Sequence, residues 1–193
     1  MPGSALSAVA ANPKRAAGAG AVLAAAVFLL WAIAAKADAA AVLDAVMRSL
    51  HLGGAIVWGG LIVFVNAVQL VALREADEGE RAAIVKLIVP RTARLFKGAA
   101  HAVLATGLVL ALPIGGGIHH RPLLLGAILG GVAMWAIVQF VLGPAIARIT
   151  GRVPAEAAEK AAARATVARW APVNLILLLP VTVSMLLAAH GGL

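Results

Sequence analysis

The residues in this chain best suited to cofactor chemistry are its histidines. The 193 residues include five histidines and no cysteine, which excludes thiolate metal sites, iron–sulfur clusters and c-type haem attachment within this sequence. Neutral imidazole is a common ligand of haem iron and copper. His51 and His190 lie in or at the end of long apolar segments, and His119 and His120 are adjacent in a glycine-containing connection. These four histidines are the candidate ligands.

The segment that contains His51 carries further polar groups at helical spacing. At about 100° per residue, three residues fall within about 20° of His51 on one helix face: Trp58, Ile62 and Gln69. Asn66 lies about 60° from His51. Polar side chains inside a membrane mark function or bind helices together. We interpret Asn66 and Gln69 as hydrogen-bonded packing residues, and His51 as a ligand.

The composition of the chain is that of a membrane protein. Hydrophobic residues make up 63% of the sequence and charged residues 12%, against roughly 25% charged residues in soluble domains. Five apolar runs are long enough to cross a bilayer as helices, at about residues 17–35, 50–73, 98–114, 122–146 and 173–189. We therefore predict an all-α integral membrane bundle of five transmembrane helices, in one domain over residues 17–193 after a disordered tail at 1–16.

The basic residues predict how this bundle is oriented. Thirteen of the sixteen lysines and arginines precede the first run, connect the second to the third, or follow the fourth; the other three are Lys36, Arg48 and Arg121. The positive-inside rule then places the N-terminus in the cytoplasm and the C-terminus in the periplasm of a bacterial inner membrane. Topology and contact with lipid headgroups account for the net charge of +8, so we do not expect nucleic-acid binding.

Two features of the N-terminal and connecting segments carry further expectations. The first apolar run is preceded by Lys14 and followed by a small-residue site at 35–37, as in a secretory signal. Its length of about 19 residues exceeds the usual signal core, so we predict a retained anchor. Residues 81–96 are amphipathic and are expected to lie on the cytoplasmic membrane surface. Residues 154–168 predict a short solvated helix.

The depth of two histidines in the bundle predicts a cofactor site. The second and fifth helices run in opposite directions, so His51 and His190 reach the same level near the periplasmic face. Two imidazoles at one depth on different helices suit the axial positions of a b-type haem. Arg48 and Arg121 are candidates to pair with haem propionates, and Trp58 is a further cofactor-binding candidate. His101 lies nearer the opposite face, where we expect it to hydrogen-bond a neighbouring helix.

A metal ion is the alternative occupant of this site. Met47 precedes His51 by four residues, so a thioether and an imidazole share one helix face. Together with His190, His119 or His120, these donors would suit copper.

Three stretches resemble a known family. RSLHLGGAIVWGG at 48–60, continuing to Asn66 and Gln69, resembles the first histidine helix of the membrane domain of bacterial urate hydroxylase (PuuD). Residues 94–107, ending in Thr-Gly, and residues 164–190, with an Arg-rich entry followed by Asn, Pro, Met and His, are similar to later helices of that domain. The resemblance implies a haem-associated oxidoreductase that oxidises urate to 5-hydroxyisourate. Electrons would pass to a separate cytochrome c or another carrier.

A second resemblance implies a different function. The His, Trp, Gly-Gly pattern of the second run and the Arg-led third run ending in Thr106 and Gly107 are similar to copper-resistance proteins of the CopD type. On that interpretation, His51, Met47 and His190 handle copper during transport or resistance. A non-enzymatic membrane subunit is the remaining alternative.

Overall fold

The structure is a computed structural model that describes residues 11–111 and 122–190, with the side chain of His190 left out. It contains five long helices: α1 (Pro13–Ala34), α2 (Ala39–Glu75), α3 (Glu78–Leu110), α4 (Pro122–Ile149) and α5 (Ala157–His190). Over the described ranges no residue is in a strand. All five helices are long and apolar enough to cross a membrane, which confirms the predicted all-α membrane class. Of the predicted tail at 1–16, residues 1–10 lie outside the described residues, and residues 13–16 form the first turn of α1.

The chain divides into two compact units, Met1–Val46 and Met47–Leu193. In the first unit, the side chain of Asn12 caps α1 by accepting hydrogen bonds from the backbone N–H groups of Lys14 and Arg15. Pro13 occupies the first turn, where its missing N–H leaves no bond unmade. No residue of α1 is buried in the described structure. Its exposed leucine, valine and isoleucine side chains are suited to hydrocarbon.

The second unit has a core formed by α2, α3 and α4. Its buried members are Trp58, Ile62, Phe96, Ala100, Val103, Met134 and Val138. Side chains of α5, including Leu178 and Val181, pack against this cluster. Close approach of the backbones depends on glycine: a Cβ atom at Gly130 of α4 would lie 2.5 Å from Cγ2 of Val181. Small residues at such contacts let membrane helices pack closely.

Two of the helices contain a π-helical turn. The turns are Val65–Gln69 in α2 and Ile137–Leu142 in α4. The flanking α-helical pieces are Ala39–Phe64 and Leu70–Glu75 in α2, and Pro122–Ala136 and Gly143–Ile149 in α4. In α4 the turn closes where Gly143 donates its N–H to the carbonyl of Val138, and Pro144, which has no N–H, follows. Such turns occur frequently at functional sites.

The connecting segments differ from the two predictions made for them. The predicted surface stretch at 81–96 is divided at Ile88 between Glu78–Leu87 and Val89–Leu110. Val89, Thr92 and Phe96 are buried in the bundle, because their spacing continues the apolar face that Ala100 and Val103 extend into the membrane span. Likewise, the predicted short helix at 154–168 is wrong as a separate element, since Ala157 begins the 34-residue α5.

Candidate functional site

The imidazole of His51 is held by α3. Its Nδ1 atom lies 3.0 Å from the carbonyl oxygen of Val103 and 3.1 Å from Oγ1 of Thr106. A carbonyl oxygen can only accept, so Nδ1 carries the hydrogen and donates it to Val103. The hydroxyl of Thr106 donates to the carbonyl of Ala102 at 2.6 Å and is free to accept from His51. This tautomer leaves an unprotonated Nε2, which is the form that ligates metals.

Two glycines allow the ring to sit against α3. A Cβ atom at Gly107 would fall 2.9 Å from Cε1 of His51, so a side chain there would force the imidazole to shift. One turn along α2 from His51, a Cβ atom at Gly54 would lie 2.9 Å from Cγ2 of Val103. The ring is half-buried in this contact. The pair of glycines thus sets both the separation of α2 from α3 and the orientation of His51.

The helix face predicted for α2 is present in the structure. Trp58, Ile62 and Gln69 are its buried residues, and His51 is half-buried. Trp58 is 5% exposed and packs edge-to-face on Phe96, with 6.5 Å between ring centroids. Its indole Nε1 has no hydrogen-bond partner among the described residues.

The structure describes some of the other residues predicted around His51. Met47 is half-buried and lies one turn before His51 in the same α-helix, and Arg48 is exposed. His190 is the last residue of α5, and its side chain lies outside the description. His119 and His120 also lie outside the described residues. Within the described ranges, no group of three or more histidine or acidic side chains could hold a metal ion. The pairing of His51 with a second ligand stays a prediction.

His101 does not form the expected hydrogen bond to a neighbouring helix. Its Nδ1 donates to the carbonyl of Lys97 in its own helix at 2.7 Å. Its contact with α4 is an edge-to-face packing on Trp135, with ring centroids 5.9 Å apart. The imidazole is exposed.

The two amides of α2 have different roles. Asn66 donates from Nδ2 to the carbonyl of Ile62 and, across to α5, to the carbonyl of Ala171 at 3.3 Å, which confirms its interpretation as a packing residue. Gln69 is only 8% exposed, yet its Oε1 has no hydrogen-bond partner among the described residues. A packing role alone does not explain an unpartnered acceptor.

A large cavity that the sequence did not reveal lies in the second unit, where α2, α3, α4 and α5 carry their basic residues. Its volume is about 910 Å³. We call it the basic cavity, after the six cationic residues in its lining: Arg74, Arg81, Arg94, Lys97, Arg152 and Arg164. Both π-helical turns contribute to its wall, through Gln69 and Gln139. His51 is not among its lining residues.

No protein-family model matches this chain, and no curated protein or solved structure matches it.

Proposed function

We propose that this chain is a multi-pass membrane redox protein, related to the membrane domain of urate hydroxylase, in which Nε2 of His51 ligates a b-type haem or a metal ion. The hydrogen bond from Nδ1 of His51 to the carbonyl of Val103 carries this proposal. Histidines that ligate metals almost always donate their other ring N–H to a carbonyl or carboxylate, which fixes the tautomer and the ring plane.

The residues around His51 would hold a haem through Nε2 of the imidazole. The carbonyl of Val103 and the hydroxyl of Thr106 hold the imidazole from one side, while Gly107 leaves space for its Cε1 edge. His190 is the proposed second ligand, and the exposed Arg48 is the proposed partner of a propionate. A bound haem would supply one-electron transfer. The buried ring pair of Trp58 and Phe96 would keep water from the interior of the bundle.

The basic residues support an orientation for this site. With most of the lysines and arginines in the cytoplasm, His51 lies toward the periplasmic face of a bacterial inner membrane. Electrons would then leave or enter through a separate periplasmic carrier such as a cytochrome c.

Copper handling is the second candidate, and one observation favours it. Ala39–Phe64 is continuous α-helix, so Met47 and His51 lie one turn apart on the same face. A thioether beside an imidazole is a donor pair that suits copper. This alternative uses His51 as well, but the bound group is copper instead of haem.

The two candidates are separated by the absorption spectrum and metal content of protein purified from membranes in detergent. Haem predicts a Soret band and about one iron per chain, whereas copper without a Soret band supports the alternative. In either case, His51→Ala should remove the occupant. His101→Ala is the matched control, because His101 is an exposed imidazole on another face, and it should leave the occupant in place. A colourless, metal-free wild-type protein would contradict both candidates.

A further inference from the structure

The charged residues that line the basic cavity are all of one sign. All but one of its six cations are arginines, and all six side chains are exposed. Among the described residues that line the cavity there is no aspartate or glutamate. Arg81 donates two of its N–H groups to the backbone carbonyls of Leu73 and Ala76 at the end of α2. The exposed part of the lining is therefore positively charged, without carboxylates in the lining to neutralise it.

The buried wall of the same cavity carries amides that lack partners. Asn174 of α5 is 1% exposed, and neither its Oδ1 nor its Nδ2 has a hydrogen-bond partner among the described residues. The same holds for Oε1 of Gln69 and Nε2 of Gln139. Asn66, which also lines the cavity, shows that this bundle can pair an amide with backbone carbonyls where it serves packing.

The unpartnered amides indicate a binding site, whereas the basic residues alone would not. Positive residues at one end of a membrane bundle need no ligand to explain them. Buried polar atoms without partners do, because nearly all such atoms in folded proteins are hydrogen-bonded to protein, water or ligand. Three helices contribute them to the lining of this one cavity, which also includes apolar side chains such as Phe96 and Leu142. A ligand with both donor and acceptor atoms would satisfy them.

We propose that the basic cavity binds a phosphate ester. Its phosphate would pair with the guanidinium groups in the exposed part of the lining, which match phosphate oxygens in bidentate fashion. The group esterified to the phosphate carries hydroxyl or similar donors and acceptors, and it reaches Gln69, Gln139 and Asn174. A cavity of about 910 Å³ is large enough for a small-molecule ligand of this kind. The same chemistry is offered by a soluble polyol phosphate and by the headgroup of an acidic phospholipid.

The experiment has one arm for each source. The purified chain is placed in phosphatidylcholine nanodiscs and titrated with sn-glycerol 3-phosphate by isothermal calorimetry. In parallel, phosphatidylglycerol is added to the nanodiscs, and the number of molecules retained per chain is counted by native mass spectrometry. Binding in the first arm identifies a soluble ligand, and retention in the second alone identifies a lipid headgroup. If neither probe binds, the proposal is wrong.

Matched double variants test where the probe binds. Arg94→Gln with Arg164→Gln removes two cavity cations from α3 and α5, whereas Arg91→Gln with Arg169→Gln removes two from the same helices that do not line the cavity. Binding should weaken about tenfold or more in the first pair and change by less than about twofold in the control. Equal weakening in both would show diffuse attraction to charge and would overturn the proposal.

A separate variant tests the role of the unpartnered amides. Asn174→Leu replaces an unpartnered amide by an apolar side chain of similar size, so the folded bundle should melt at the same temperature or higher. Affinity for the probe should fall about tenfold. Gln69→Leu serves the same purpose if the first variant does not fold. Unchanged affinity in a folded variant would contradict the proposed role of the amides. Because His51 does not line the cavity, its occupant should persist in all these variants, so failure here leaves the cofactor proposal standing.

Discussion

At the scale of single residues, the tautomer of His51 decides what the site can do. The carbonyl of Val103 can accept but not donate, so it forces the hydrogen onto Nδ1 and leaves the lone pair on Nε2. A comparison with His101 shows that the surroundings of a histidine, and not the residue type alone, distinguish the proposed ligand. Its Nδ1 is also occupied by a carbonyl, but the ring is exposed and packs on Trp135. His51 is instead held from a neighbouring helix.

Gly107→Ala is expected to displace the imidazole of His51 by steric contact, while leaving His51 itself unchanged. The new Cβ atom would lie 2.9 Å from Cε1 of His51, so the ring must move. Disturbing the groups that orient a ligand typically costs 10- to 100-fold in metal affinity, and we expect a loss of about that size here. Occupancy is measured as Soret absorbance or metal per chain.

Gly98→Ala is the control for this substitution. Gly98 is on the same helix, and a Cβ atom there would meet nothing within 4 Å. It should bind like the wild type. Equal loss of occupancy in the two variants would show that the loss does not come from the contact with His51, and the orienting role of Gly107 would then be refuted.

At the scale of helices, close packing between α4 and α5 depends on one missing side chain. A Cβ atom at Gly130 would fall 2.5 Å from Cγ2 of Val181. Valine in a helix has one strongly preferred rotamer, so it cannot turn away without strain. Contacts of this kind hold membrane helices together where no hydrophobic effect operates between them.

Gly130→Ala should therefore destabilise the bundle by about 1–3 kcal/mol, the usual cost of overpacking. The measurement is the thermal unfolding of the protein in detergent, followed by circular dichroism. Gly126→Ala, one turn earlier on α4 with nothing within 4 Å of its Cβ position, should unfold at the wild-type temperature or above. A variant at 130 that is as stable as the one at 126 would contradict the packing described here.

The sequence predicted some of these elements well and others not at all. Long apolar runs identified five helices, and helical periodicity correctly placed Trp58, Ile62 and Gln69 on the inner face of α2. The helices extend beyond the apolar runs because their ends carry polar residues, as in the first turns of α5. The basic cavity was not predicted. Its lining includes Gln69 and Gln139 of the two π-helical turns, and nothing in the local sequence of either turn signals where four helices will leave a space.

At the scale of the whole molecule, the basic residues and the proposed cofactor site lie toward opposite ends of α2. The lysines and arginines cluster at the connections from α2 to α3 and from α4 to α5, and the basic cavity opens among them. His51 lies in the other half of α2, about 18 residues, or some 27 Å of helix, before Gln69. The two proposed sites are therefore independent of each other.

The proposed orientation can be tested by labelling single cysteines, because the wild-type chain contains none. Cysteine replacing Glu78 or Arg152 should react with a membrane-impermeant maleimide only after the cells are opened. Cysteine replacing Ala37, between α1 and α2, should react in intact spheroplasts, since the positive-inside rule places that connection in the periplasm. The reverse pattern would move His51 to the cytoplasmic face and refute the proposed periplasmic partner.

The measurement that tests the central claim most directly is pulsed electron paramagnetic resonance of the oxidised protein. Ferric haem and Cu(II) are both paramagnetic, so an imidazole ligand adds nitrogen hyperfine couplings that change when the histidines are labelled with ¹⁵N. We predict such couplings in the wild type and in His101→Ala, and the loss of the centre or of one coupled imidazole in His51→Ala. A wild-type protein with no paramagnetic centre, or couplings that are the same in His51→Ala, would contradict ligation by His51.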